Sequence, residues 1–164
     1  HLTFVIPVQP VMAGSSTPLG QGTGAGVAFN GVRFDEPAPV GAILGAHTLA
    51  PFDDCGGHVN LHVGYHYHTV TDCLNEAAAV TDDHCARIGI AMDGYMIFSH
   101  GMADGTEPAG LDRCHGHESD ELGYHYHAGA PGSNTILGCL SAEHGCVSND
   151  PNRPCDATVR PSRP

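Results

Sequence analysis

At 164 residues the chain is long enough for one domain with a genuine core. Its net charge of −12, with six basic residues that are all Arg, argues against nucleic acid or an anionic membrane surface as partner, because little is present to neutralise phosphates. The same charge suits attraction of cations, and no apolar run is long enough to insert across a bilayer. Twenty-two Gly and 12 Pro predict many turns and short elements rather than long helices. In chain order, residues 1–12 (HLTFVIPVQPVM) predict a strand ended by Pro, and the Gly/Ser/Thr-rich stretch 13–25 predicts a loop. GVAFNGVRF at 26–34 predicts a hairpin with a type I′ turn at Asn30-Gly31. Residues 73–80 (CLNEAAAV) predict a short helix, and 87–101 (RIGIAMDGYMIFSHG) a second hairpin turning at Asp93-Gly94. The stretch 147–164 is rich in Pro, Arg and Asn and reads as an irregular tail. The expectation is a mainly β fold with short helical and irregular segments, forming a single domain over 1–164.

Between these elements the chain carries one pattern twice. DDCGGHVNLHVGYHYH at 53–68 and DRCHGHESDELGYHYH at 112–127 both follow D-x-C-x-G-H-x5-G-Y-H-Y-H. Nine of the 16 aligned positions are identical, and they include every His of the shared pattern. This predicts an internal pseudo-twofold duplication. One repeat alone would be too small to be stable, so the two are expected to pack into one unit.

The repeated residue types are those that bind transition metals. In a strand, alternate side chains share a face, so G-Y-H-Y-H sets two His on one side and two Tyr on the other. His-x-His places two imidazoles about 7 Å apart at their Cα atoms, close enough to converge on one ion. The candidate ligands are His66 and His68 in the first repeat and His125 and His127 in the second. His58 and His117 stand eight residues before the first strand His of their repeats, and a chain reversal would return each to its own pair. Two constructions follow. One is a pair of three-His sites, His58/His66/His68 and His117/His125/His127. The other is a single central site drawing His from both repeats. His84 and His100 would join a site only through the fold. Imidazole ligands suit copper(II) first and zinc(II) second, because the general affinity order of divalent ions favours copper.

These residues lead to a metal-binding protein for capture, delivery or buffering. The alternative is a metal-dependent enzyme, a copper oxidase or oxygenase or a metal-assisted hydrolase, using a three-His ion with an open position. Asp53, Asp112 or Asp93 would then be the candidate general base. For Asp53 and Asp112 a turn or capping role competes with one of orienting a ligand His. Neither G-x-S-x-G, H-E-x-x-H nor a P-loop pattern occurs.

Seven Cys without a C-x-x-C pair point away from thiolate zinc ribbons and toward disulfides in an oxidising compartment. The repeat logic pairs Cys55 with Cys73 and Cys114 with Cys139, lets Cys146 and Cys155 staple the tail, and leaves Cys85 over. A chain beginning at His1 suits removal of a signal peptide, hence a secreted or periplasmic location.

The chain also resembles the YHYH-domain family, named for the tetrapeptide at 65–68 and 124–127. The resemblance extends through GVAFNGVRF at 26–34, FDDCGGH at 52–58, GIAMDGYMIF at 89–98, LDRCHGH at 111–117 and GCL at 138–140. It covers roughly residues 25–140. Two departures stand out: Met96 follows Tyr95 where members often carry Pro, and Ser99-His100 replaces a frequent Gly-Pro. The resemblance implies an extracytoplasmic, mostly bacterial protein and no settled reaction.

Overall fold

A computed structural model describes residues 2–20, 23–45, 52–61, 64–71, 74, 84–148 and 155. The two hairpins are where the sequence places them. The first is β3 (Gly26–Ala28) with β4 (Arg33–Phe34), and the second is β7 (Arg87–Ala91) with β8 (Met96–Phe98). Their turns differ from expectation. Ala28 N donates to Val32 O at 2.8 Å and Gly31 N to Ala28 O at 2.9 Å, which makes a three-residue loop. Ala91, Gly94 and Tyr95 repeat these two bonds at 2.8 and 2.9 Å. Within these two loops only Gly31 and Gly94 take positive φ, 86° and 92°. The loop is therefore a type I turn closed by a left-handed Gly, not a two-residue type I′ turn.

Each repeat forms a hairpin of its own. The first comprises β5 (Gly57–Asn60) and β6 (Gly64–Tyr67), and the second β9 (Gly116–Ser119) and β10 (Gly123–His127). All eight strands join one sheet in the order β5-β6-β4-β3-β7-β8-β10-β9. β4 runs parallel to β6 and β8 parallel to β10, and the remaining neighbours are antiparallel. The two repeat hairpins therefore lie at opposite ends of the sheet.

Two further pairs complete the β structure of the described residues. β1 (Thr3–Val5) pairs with β12 (Cys146–Ser148), and β2 (Met12–Pro18) with β11 (Cys139–Ala142). β2 corrects the loop expected at 13–25, and β12 carries the order two residues into the expected tail. A short helix, α1 (Val40–Gly45), forms where none was expected, and it buries none of its residues. The helix expected at 73–80 lies outside the described residues, apart from Leu74.

The core lies against the Tyr face of the sheet. Phe34, Tyr67, Ile97 and Tyr126 pack with Ile136, Leu137 and Leu140, the last from β11. Asp93 sits at the centre of this layer, fully buried. Its Oδ2 accepts from the Tyr126 hydroxyl at 2.6 Å and from the Ser141 and Ala142 amides at 3.1 Å each. Burial pushes the Asp93 carboxyl above its ordinary range, while these donors pull it down. Asp93→Ala strands the buried Tyr126 hydroxyl and Ala142 amide, while the Ser141 amide keeps the Tyr126 hydroxyl as acceptor, so urea unfolding is expected to show a loss of about 3–5 kcal/mol. Asn30 occupies the matching turn position and donates to the Tyr67 hydroxyl at 3.0 Å, but it is exposed. Asn30→Ala is expected to cost about 1 kcal/mol or less.

Disulfides join Cys114 to Cys139, as the repeat logic has it, and Cys146 to Cys155, as expected for the tail, and Cys85 is a free thiol. Cys55 is also disulfide-bonded, and its expected partner Cys73 lies outside the described residues. Among the described residues no helix is long and apolar enough to cross a membrane.

Candidate metal centres

Every invariant position of the repeat has a physical task. Asp53 opens a tight turn, and its Oδ1 accepts from the Cys55 and Gly57 amides at 3.0 Å each. Asp112 does the same for Cys114 at 2.7 Å and Gly116 at 3.0 Å. The second oxygen of each takes the hydroxyl of the first Tyr of the strand, Tyr65 or Tyr124, at 2.6 Å. The Tyr ring crosses the Gly before the first His to reach that carboxylate. A Cβ on Gly57 would lie 2.6 Å from the Tyr65 ring, and one on Gly116 would lie 2.1 Å from the Tyr124 hydroxyl. Gly is thus the residue that lets Tyr lock the turn against the strand. Burial raises Asp53, but the Tyr65 hydroxyl and the turn amides hold it below the usual carboxylate range. Asp53 and Asp112 are turn caps, and both of their oxygens are engaged. Asp93 is likewise committed to the core. The second repeat places His115 at the left-handed position that Gly56 fills in the first, with φ 71° and 84° respectively.

Antiparallel register then delivers the His. His58 stands opposite His66, and His117 opposite His125. His66 Nε2 lies 3.0 Å from His58 Nε2 and 2.9 Å from His68 Nε2. His125 Nε2 lies 2.8 Å from His117 Nε2 and 2.9 Å from His84 Nε2. Two groups result: His58, His66 and His68 in one, and His84, His117, His125 and His127 in the other. Within each, the ligand nitrogens all lie within 4.8 Å of one another. Five strand spacings of ~4.8 Å separate β6 from β10, roughly 24 Å measured along the sheet. The structure thus gathers the six repeat His into two clusters, one per repeat, and not into one central site. His84 is the addition. It has no counterpart in the repeat pattern and arrives by an isolated bridge to Met102. His100 instead faces Ala128 O and Glu107, outside both clusters.

The other ring nitrogen of most of these His faces a carbonyl. His66 Nδ1 is 3.0 Å from Gly64 O, and His68 Nδ1 is 2.5 Å from Glu36 O. His117, His125 and His127 Nδ1 face Ala109, Gly123 and Ser99 oxygens at 3.2, 2.9 and 3.0 Å. A carbonyl only accepts, so Nδ1 carries the proton and a neutral ring turns its Nε2 lone pair toward the cluster. His66 with His68, and His117 with His125, then oppose lone pair to lone pair at under 3 Å. His127 Nε2 is buried with no hydrogen-bond partner among the described residues. A cation between the nitrogens removes this conflict, and second-shell carbonyls of this kind fix the tautomer of metal-ligating His. Tetrahedral coordination with bonds of about 2 Å sets donors about 3.3 Å apart, close to the separations here.

Burial makes the protonated forms costly. It lowers His58 and His68, helped by the charge of neighbouring His. His127 is pushed down to about 3, first by burial and then by His125, His117 and His84, against the pull of Ser99 O. Rings that stay neutral at pH 7 are competent ligands.

No curated protein and no solved structure matches the chain. A family model described as YHYH protein matches residues 3–108, which take in both central hairpins and the whole first repeat and end before the second. The match begins earlier and ends earlier than the resemblance read from the sequence. With about two thirds of its length matched, the chain belongs to the YHYH protein family.

Proposed function

We propose that this chain is an extracytoplasmic transition-metal-binding protein, secreted or periplasmic, that holds two ions, one in each repeat. Its work is metal capture, delivery or buffering, with copper(II) the favoured ion and zinc(II) the second. The observation that carries this reading is the convergence of Nε2 lone pairs in two separate clusters, with Nδ1 of five of the seven rings facing a backbone carbonyl. Imidazole donors suit both ions, and where both are available copper binds tighter. The two repeats read as copies of one metal-binding hairpin, a view supported by their common register and common Asp–Tyr lock. The disulfides support an oxidising compartment.

A second reading draws on the difference between the clusters. The first has three His where the second has four, and three imidazoles with an open position are the ligand set of a metal-dependent hydrolase or a copper oxidase. The deciding measurement is metal content by inductively coupled plasma mass spectrometry, on protein purified without chelator or His tag. About two ions per chain is the expected result. No metal after reconstitution with both ions would leave the His as a hydrogen-bonded polar layer and end both readings.

A further inference from the structure

Asp35 immediately follows β4, outside the repeat. Strand alternation puts it, with Arg33, on the face that carries His66 and His68, while Phe34 turns to the Tyr face beside Tyr67. Its amide donates to Tyr67 O at 2.9 Å, which fixes its place in the sheet. The carboxylate is buried, with the residue 6% exposed, and so is Arg33 at 7%. One oxygen, Oδ1, lies 2.7 Å from the Arg33 guanidinium. The other, Oδ2, lies 4.0 Å from His66 Nε2. That nitrogen presents a lone pair, since Nδ1 of His66 is committed to Gly64 O. A buried carboxylate oxygen therefore approaches the central imidazole of the first cluster from the neighbouring strand.

We propose that Asp35 is the fourth ligand of the first metal centre. The inference rests on the two-ion reading and adds to it. Oδ2 already lies 4.0 Å from His66 Nε2, the central donor of the cluster, and a rotation of the Asp35 side chain is what would bring it onto an ion shared with the other two imidazoles. Burying a carboxylate is costly; Asp35 pairs with Arg33 and with the Glu36 carboxyl, yet Oδ2 still faces the His66 lone pair at 4.0 Å, and a cation between the two turns that unfavourable pairing into a favourable one. The corresponding residue of the second hairpin is Phe98, opposite His127, which offers no donor. There His84 supplies the fourth donor instead. The two centres thus differ in chemistry: three imidazoles and a carboxylate in one, four imidazoles in the other. Four protein ligands in each also favour retention of the ion over catalysis at an open position.

The test is copper(II) and zinc(II) titration of the full chain and of Asp35→Asn and His84→Ala, with copper electron paramagnetic resonance of each. Asp35→Asn is expected to weaken one of the two ions at least about tenfold and to change one of two overlapping copper signals. His84→Ala is expected to act on the other ion and the other signal. Asp35→Cys gives a positive readout that a purely structural role does not produce. Loaded with cobalt(II), it is expected to gain a thiolate-to-metal charge-transfer band absent from the native chain, whose free Cys85 serves as internal control. Two ions bound with unchanged affinities and signals in Asp35→Asn, or no new band in cobalt-loaded Asp35→Cys, overturns the ligand assignment while the two-ion reading stands. Failure of the native chain to bind any ion overturns both.

Discussion

His125→Ala is expected to hold one ion where the native chain holds two, with the affinity of the lost ion falling by about a hundredfold or more. His125 is the middle of its cluster. Its Nε2 lies within 2.9 Å of both His117 and His84, and the residue is 1% exposed. Removing it takes out the central donor and leaves the others unable to close around an ion. His66 is the corresponding centre of the first cluster, at 3.0 and 2.9 Å from its neighbours. His66→Ala is expected to lose the other ion, and the double variant both. Equilibrium dialysis with metal analysis reads the counts directly. Both residues are buried, so each truncation also leaves a cavity and destabilises the metal-free fold. The half-buried His117 separates the two effects. His117→Ala is expected to weaken the same ion as His125→Ala at a smaller cost in metal-free stability. Two ions retained in both His66→Ala and His125→Ala would sink the assignment of the clusters.

The parts of this site that were legible in the sequence are the periodic and duplicated ones. Alternation in G-Y-H-Y-H states which residues share a face, and the structure keeps His66 with His68 and Tyr65 with Tyr67. Duplication singled out His58 and His117, and the chain reversal they required is the β5–β6 and β9–β10 turn. The hairpins were legible because Asn-Gly and Asp-Gly interrupt apolar runs. Their turn type was not, since it depends on whether Val32 pairs with Phe29 or with Ala28. β2 was hidden for a different reason. MAGSSTP has no apolar alternation, and it is a strand because the β11 backbone pairs with it. His84 was invisible as a ligand because it stands alone, 41 residues from His125, with no repeated counterpart. Asp35 was equally silent. What completes each cluster comes from outside the repeat, where only the folded sheet brings distant residues together. The Asp residues of the repeat show the reverse: the sequence left them between ligand support and turn, and their geometry assigns them to the turn.

Acidification is expected to release both ions and, in chelated protein, to lower the melting temperature steadily between about pH 6.5 and pH 4. The sign follows from the buried His. His127 has a folded-state pKa near 3, and His58 and His68 also lie below the ordinary value of 6.5. Between the folded and unfolded values the unfolded chain binds protons that the folded chain refuses. Stability therefore rises with pH across that window, is fully present above about 6.5, and is lost as pH falls toward the folded values. Asp93 works in the opposite sense, since burial raises its folded pKa above 3.8, so just above that value its contribution falls as pH rises. Glu36, raised chiefly by burial, works in the same sense as Asp93, but the several depressed His set the slope nearer pH 6.5. Bound metal steepens the dependence, because each ion competes with protons for three or more nitrogens at once. Calorimetry of chelated and loaded protein at pH 4, 5, 6 and 7 reads both effects, and His127→Gln should flatten the chelated profile. A melting temperature independent of pH in the chelated native chain would mean that these rings are not held neutral, and the lone-pair convergence on which the metal reading stands would go with it.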